Sequence, residues 1–333
     1  MLAVVLVASV IGLLYVLLPA TAGLGNTWVR LTEGNAWWLV AAAAFEVLSF
    51  LSYMFLFRAV FDGGSVQISW ADSARITLAG VAATRLLAIA GAGGVALTAW
   101  ALRRIGMDRR EIVARMAAFL ILLYGVYMAA LVAGGLGLRS GILPGPAPFG
   151  LTVVPALFGA SVIAVVLIVA ALSRDLESAI DRFRSARGRS GRVVGALATA
   201  PATITSGVSV GLGLLRDRRL GVTGAVGWWA FDIGVLWACL NAFGSPPTVA
   251  VLVTAYFVGM AANALPVPGG IGTVDAGMIG ALIGFGVDGG LAIVAVLSYR
   301  AFAFWLPIVP GAIAYVQLLR TPAETPPDEN SGR

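Results

Sequence analysis

Long apolar runs recur along this chain, and few folds can absorb them. Residues 2–20 hold no charged side chain, and sparsely charged runs follow at about 36–60, 112–134, 151–172, 221–242, 248–264 and 290–318. A helix needs roughly 20 residues to cross about 30 Å of hydrocarbon, so each run has the length of a spanning helix. A soluble core of this size would lack polar residues to cover its surface. Of the 333 residues, 59% are hydrophobic and 11% charged, where a soluble domain is about one-quarter charged. The expected fold is all-α, a polytopic helical membrane bundle with about 7–9 membrane segments. Residues 1–320 are expected to form a single integral membrane domain, with 321–333 a disordered cytoplasmic tail.

Charge sets the expected orientation. All 22 basic residues are arginine, and histidine is absent. That removes the commonest general base and the commonest metal ligand. The single cysteine, Cys239, lies in an apolar run and reads as a small buried residue. No metal and no cofactor are expected. The net charge of +6 invites a nucleic-acid reading, but the arginines gather in loops between apolar runs, so no nucleic acid is expected. Loop 102–111 holds Arg103, Arg104, Arg109 and Arg110, and loop 173–192 holds Arg174, Arg182, Arg184, Arg187, Arg189 and Arg192. The positive-inside rule puts both in the cytoplasm, with both termini, in an inner or plasma membrane. Residues 193–215 are flanked by arginines at both ends and are expected to lie at the interface. Residues 2–20 lack a basic start and a cleavage site, so a retained first span is expected. Trp28, Trp37, Trp38, Trp228 and Trp229 read as interfacial anchors. Arg58, Arg75 and Arg115, near predicted helix ends, are expected to snorkel to phosphates.

Two regions echo each other. The first has an apolar helix, Gly93-Gly94, a short helix, Gly106-Met107-Asp108 and a long span. The second has an apolar helix, Gly269-Gly270, a short helix, Gly286-Val287-Asp288 and a long span. Arginines surround only the first Gly-x-Asp turn, so charge places the two turns on opposite sides, as in an inverted repeat. Helix breaks at Gly93 and Gly94, and at Pro266, Pro268, Gly269 and Gly270, are costly in hydrocarbon unless they are buried or line a wet cavity. Both regions are therefore candidates for re-entrant hairpins beside a substrate site.

Ionisable side chains inside the runs cost about 2.5–3.5 kcal/mol each on insertion scales, which favours paired or functional roles. These are Glu46, Arg85, Asp232, Asp275 and Arg300, with Asn263 as a neutral companion. Glu46 is expected to pair with Arg85 or Arg300. Asp275 sits where a resumed helix begins, a position the helix dipole stabilises. Arg300 is too deep to snorkel easily and is expected to face the interior. Asp232 fits a structural pairing as well as a functional one. A cavity lined by Arg85, Arg300, Glu46, Asp275 and Asn263 suits a lipid headgroup, because a guanidinium binds phosphate through two parallel bonds and a carboxylate meets an amine.

The segment Ala264-Leu265-Pro266-Val267-Pro268-Gly269-Gly270-Ile271-Gly272-Thr273-Val274-Asp275, the Gly286-Val287 turn, and Tyr299-Arg300 followed by Phe304-Trp305-Leu306-Pro307 and Gly311 resemble the flippase-like membrane domain family. That domain is the transmembrane region of lysylphosphatidylglycerol synthases and of stand-alone bacterial membrane proteins. The N-terminal half is similar mainly in pattern, through Glu46 and the glycines near 91–94. The family commonly has glutamate where this chain has Asp275. Bifunctional members add a soluble aminoacyl-transferase domain after the membrane region, whereas here a 13-residue tail follows residue 320. The resemblance therefore implies lipid translocation between leaflets, not synthase activity.

Three readings follow. The first is a lipid-translocating or lipid-binding protein, its partners the membrane lipids and its ligand a phospholipid or lipid-linked sugar. The second is a scaffold or accessory subunit of a separate envelope enzyme, acting through the basic loop. A membrane-embedded enzyme is the third, and no nucleophile or metal constellation speaks for it.

Overall fold

The computed structural model describes residues 34–86, 92–184, 189–264, 270 and 272–320, and every regular element among them is helical. Expectations for 2–20, for Pro266, Pro268 and Gly269, and for 321–333 lie outside these residues. Among the described residues, five helical stretches are long and apolar enough to cross a membrane: Ala36–Phe61, Arg109–Arg139, Phe149–Leu172, Leu220–Phe243 and Gly289–Arg320.

The helices in chain order are α1 (Ala36–Phe61), α2 (Trp70–Leu86), α3 (Ala92–Arg104), α4 (Arg109–Arg139), α5 (Phe149–Arg184) and α6 (Arg189–Arg216). A 3-10 turn (Leu220–Thr223) leads into α7 (Gly224–Phe243), then come α8 (Val249–Ala261) with a 3-10 extension to Ala264, α9 (Thr273–Gly284) and α10 (Gly289–Arg300). A π-helical turn (Ala301–Trp305) joins α10 to α11 (Ile308–Arg320). Side-chain caps set several starts. Asn35 accepts the Trp37 N–H at the head of α1, and the Ser69 hydroxyl accepts the Asp72 N–H at the head of α2.

One sequence expectation needs correction here. The basic segment 173–192 is not all loop, because α5 runs on as helix to Arg184. Its polar residues follow a strongly apolar stretch without a glycine or proline to stop the helix, so hydrogen bonding simply continues. Segment 193–215 belongs to a helix that packs on α4 and α5, with Gly207 backed against Ala117 and Ala118.

The echo between the two regions holds in the backbone of their turns. Gly106 and Gly286 both have φ of 90°, which only glycine adopts cheaply. The N–H of Gly106 donates to Arg103 and that of Met107 to Leu102, while Gly286 donates to Ile283 and Val287 to Leu282. Asp108 then caps α4 by accepting the Arg110 N–H, and Asp288 caps α10 by accepting the Leu291 N–H. Each turn is preceded by a helical hairpin packed through glycine. A Cβ on Gly94 would come within 2.5 Å of the Gly80 carbonyl, and one on Gly259 within 2.6 Å of Met278 Cα.

The two halves run in opposite directions. Helices α1 and α7 are antiparallel along their length, from the Asn35 N–H on the Ala242 carbonyl at 2.9 Å to Gly221 against Ala59. The α2–α3 hairpin has its open end, the start of α2 and the end of α3, where Ser65 donates to Glu111 in the first turn of α4. The α8–α9 hairpin has its open end at the opposite end of the bundle, where Gly284 meets Leu151 and Thr248 donates to the Pro144 carbonyl. Between the halves, α5 and α6 pack on α4.

Candidate functional site

A cavity of about 260 Å³ opens between α1, α2, α3 and α4 and reaches inward to α7 and α10. Its outer wall includes Phe61, Thr98 and Met116, close to the Gly106 end of the bundle. Its inner wall presents Arg85, Asp232, Tyr299 and Arg300, with Asn263 on the same lining.

Arg85 lies in the last turn of α2. Its Nη1 donates to the Phe304 carbonyl at 3.3 Å. The guanidinium also lies 5.7 Å from the Phe50 ring centre and 5.8 Å from that of Phe304, within the roughly 6 Å over which an aromatic face attracts a cation. The Phe304 carbonyl is part of the π-helical turn, whose wider hydrogen-bond ring marks many functional sites.

Arg300 closes α10 and is 6% exposed. Its Nε lies 2.6 Å from Asp275 Oδ1, and its guanidinium sits 4.5 Å from the Phe304 ring centre. Asp275 occupies the first turn of α9, where its other oxygen accepts the Gly272 N–H at 2.9 Å. The pair thus joins the N-terminus of one helix to the C-terminus of the next, the signs each helix dipole favours. Gly270, with φ of 62°, lies against Asn263, and a Cβ there would come within 2.5 Å of Asn263 Oδ1.

Asp232, in the middle of α7, accepts the hydroxyls of Tyr256 from α8 and Tyr299 from α10 on one oxygen. Glu46 is 2% exposed, and its Oε2 has no hydrogen-bond partner among the described residues. Its interacting charges are Asp232 and Arg85. Glu46 does not line the cavity. It lies instead on a separate apolar groove on the bundle flank, between α1, α2 and Leu306-Pro307.

Of the ionisable, neutral-companion and helix-break residues singled out from sequence, Arg85, Asp232, Arg300, Asn263 and Gly94 line the cavity. Asp275 meets it through Arg300, and Glu46 stands behind it. Of the two partners expected for Glu46, Arg300 is instead paired with Asp275, whose helix start is held next to it by the Gly272 cap, and Arg85 supplies an attractive charge without forming an ion pair. Sequence reasoning missed Thr77, Thr84 and Thr98, which supply hydroxyls to the lining. Thr77, Gly80 and Thr84 fall on one face of α2 by helical spacing, and that small polar stripe was the available signal.

One anchor stands corrected, Trp229, and Trp228 and the arginines expected to snorkel make protein contacts of their own. Trp229 is buried and donates its Nε1–H to the Leu123 carbonyl at 2.8 Å, and Trp228 packs on Tyr53 and Phe50. Arg58 pairs with Asp62, Arg75 with Asp72, and Arg115 with Glu111. Nearby carboxylates one helical turn away capture these arginines.

Two guanidiniums, the Thr98 hydroxyl and aromatic walls in one recess suit an anionic group carrying several oxygen acceptors, such as a phosphate ester. The family model described as lysylphosphatidylglycerol synthase TM region matches residues 1–311. The chain is also similar to a UPF0104 membrane protein of Methanothermobacter thermautotrophicus, at 29% identity over 106 residues. That match covers 31% of this chain and 30% of the length of that relative.

Proposed function

We propose, from the premise that this chain belongs to the lysylphosphatidylglycerol synthase TM-region family, that it is an integral membrane protein which binds lipid headgroups and carries them between leaflets. The observation that carries this reading is the placing of Arg85 and Arg300 on one cavity in a bundle whose flanks are apolar. Lipid tails stay in hydrocarbon at little cost, so the barrier to translocation lies in the polar headgroup. A recess that replaces water with guanidiniums and hydroxyls lowers that barrier. Arg85 and Arg300 hold the phosphate, Asn263 offers an amide, and Glu46 and Asp275 balance the arginines when no ligand is bound.

On this reading α2, α3, α8 and α9 are re-entrant. Helices of 17, 13, 13 and 12 residues extend at most ~26 Å at 1.5 Å per residue, short of about 30 Å of hydrocarbon. The two halves are an inverted repeat, the usual frame for a carrier with a site near the membrane midplane. The Gly106 end faces the cytoplasm of an inner or plasma membrane, because arginines crowd it. We assign the membrane region transport rather than catalysis.

The test is leaflet exchange of labelled lipids in proteoliposomes holding the wild type or Arg85→Gln, across anionic, zwitterionic and aminoacylated headgroups. Exchange above empty liposomes that falls at least tenfold in the variant is the expected result. No exchange with any headgroup overturns translocation and moves the assignment to an accessory subunit of an envelope enzyme.

A further inference from the structure

The offset that carries Gly106 onto Gly286 and Asp108 onto Asp288 also pairs the rest of the two halves. It takes Gly94 to Val274, Thr98 to Met278 and Met116 to Val296. The first member of each pair lines the open cavity, and each counterpart is 0% exposed. The same offset takes Val95 and Leu120, both on the cavity wall, to Asp275 and Arg300, the buried ion pair. One half is therefore open where the other is shut, and the shut half holds an ion pair where the open half has two apolar side chains.

We infer that the second half contains the counterpart of the cavity, closed here by the Asp275–Arg300 ion pair, and that a phosphate-bearing headgroup opens it by drawing Arg300 away from Asp275. The inference rests on reading the open cavity as a headgroup site. Arg300 already lies on that cavity, so an incoming phosphate reaches the guanidinium without crossing a closed wall. A phosphate oxyanion and a carboxylate compete for the same planar donor fork. Once the pair is released, α9 would pivot on the Gly286 turn that joins it to α10, along its glycine-lined seam against α8. The opened space faces the Gly286 end, giving the same ligand class an exit opposite to its entry.

The test uses single cysteines in a Cys239→Ala background, with a membrane-impermeant maleimide added from either side of oriented proteoliposomes. Thr98→Cys reports the open cavity and also confirms folding, since it should label from the Gly106 side in every variant. Met278→Cys reports its counterpart. Labelling of Met278→Cys from the Gly286 side should be slow with the ion pair intact and at least tenfold faster with Asp275→Asn. The swapped pair Asp275→Arg with Arg300→Asp should be slow again. In the intact protein, labelling should also be faster in phosphatidylglycerol vesicles than in vesicles of an uncharged glycolipid. Unchanged Met278→Cys labelling in Asp275→Asn, with Thr98→Cys still reactive, overturns the inference, and so does fast labelling in the swapped pair. Equal rates in the two lipids overturn the role given to phosphate. Because labelling needs no lipid exchange, an intact gate in a protein that exchanges no lipid refutes translocation while leaving the gate in place.

Discussion

One carboxylate oxygen of Asp232 accepts the hydroxyls of both Tyr256 and Tyr299, so α7, α8 and α10 meet at a single atom. Hydrogen bonds to a charged acceptor contribute about 1.5–3 kcal/mol each. Tyr256→Phe and Tyr299→Phe should each lower thermal stability in detergent by about that amount. The exposed Tyr315→Phe should not. Chemical or thermal unfolding followed by tryptophan fluorescence checks this, and equal midpoints for all three variants would remove the network from the fold's support.

Gly94 marks the closest approach of α2 and α3. An added Cβ would meet Thr84 Oγ1 at 2.0 Å and the Gly80 carbonyl at 2.5 Å, whereas one on Gly125 would meet nothing within 4 Å. Overpacking of this kind costs about 1–3 kcal/mol. Gly94→Ala should lower the unfolding midpoint and slow leaflet exchange, while Gly125→Ala matches the wild type in both assays.

The two Gly-x-Asp turns offer a test of their equivalence. Gly106 and Gly286 share φ of 90°, and a Cβ at either would touch nothing within 4 Å. Alanine at either position adds backbone strain alone, about 1–2 kcal/mol. Gly106→Ala and Gly286→Ala should shift the unfolding midpoint by the same amount. A clear inequality would mean the turns carry unequal loads despite matching geometry.

Trp229 should behave as a core residue, not as a membrane anchor. Trp229→Phe removes its bond to the Leu123 carbonyl, about 1 kcal/mol, and leaves a void between α4 and α7. Trp37, 83% exposed, should tolerate the same change. Thermal stability in detergent separates the two roles, and equal tolerance would return Trp229 to the lipid boundary.

Much of this architecture was legible because it rests on local rules. Glycine at positive φ followed by a capping aspartate marks the turns at 106–108 and 286–288, and the depth of Arg300 marks it as interior. The partners were not legible. Asp232 meets tyrosines that stand 24 and 67 residues away, and sequence spacing says nothing about which faces of distant helices converge. The tryptophan pair at 228–229 misled for the same reason. A tryptophan near a helix start reads as an anchor unless the helix packed against it is known. The threonines of α2 were passed over because a lone hydroxyl in an apolar helix bonds its own backbone, as Thr77 and Thr84 in fact do. Only their shared face sets them apart.

The π-helical turn at Ala301–Trp305 makes one residue the unit of change in this half of the molecule. Each residue advances an α-helix by about 100°, so deleting one here would turn the whole of α11 against its neighbours. Gly311 would leave its seat against Leu78 and Ala82, and a side chain too large for that seat would arrive in its place. The counterpart helix α4 runs without such an irregularity for 31 residues. Relatives that lack the extra residue therefore need a second compensating change in α2, and the two should be gained or lost together.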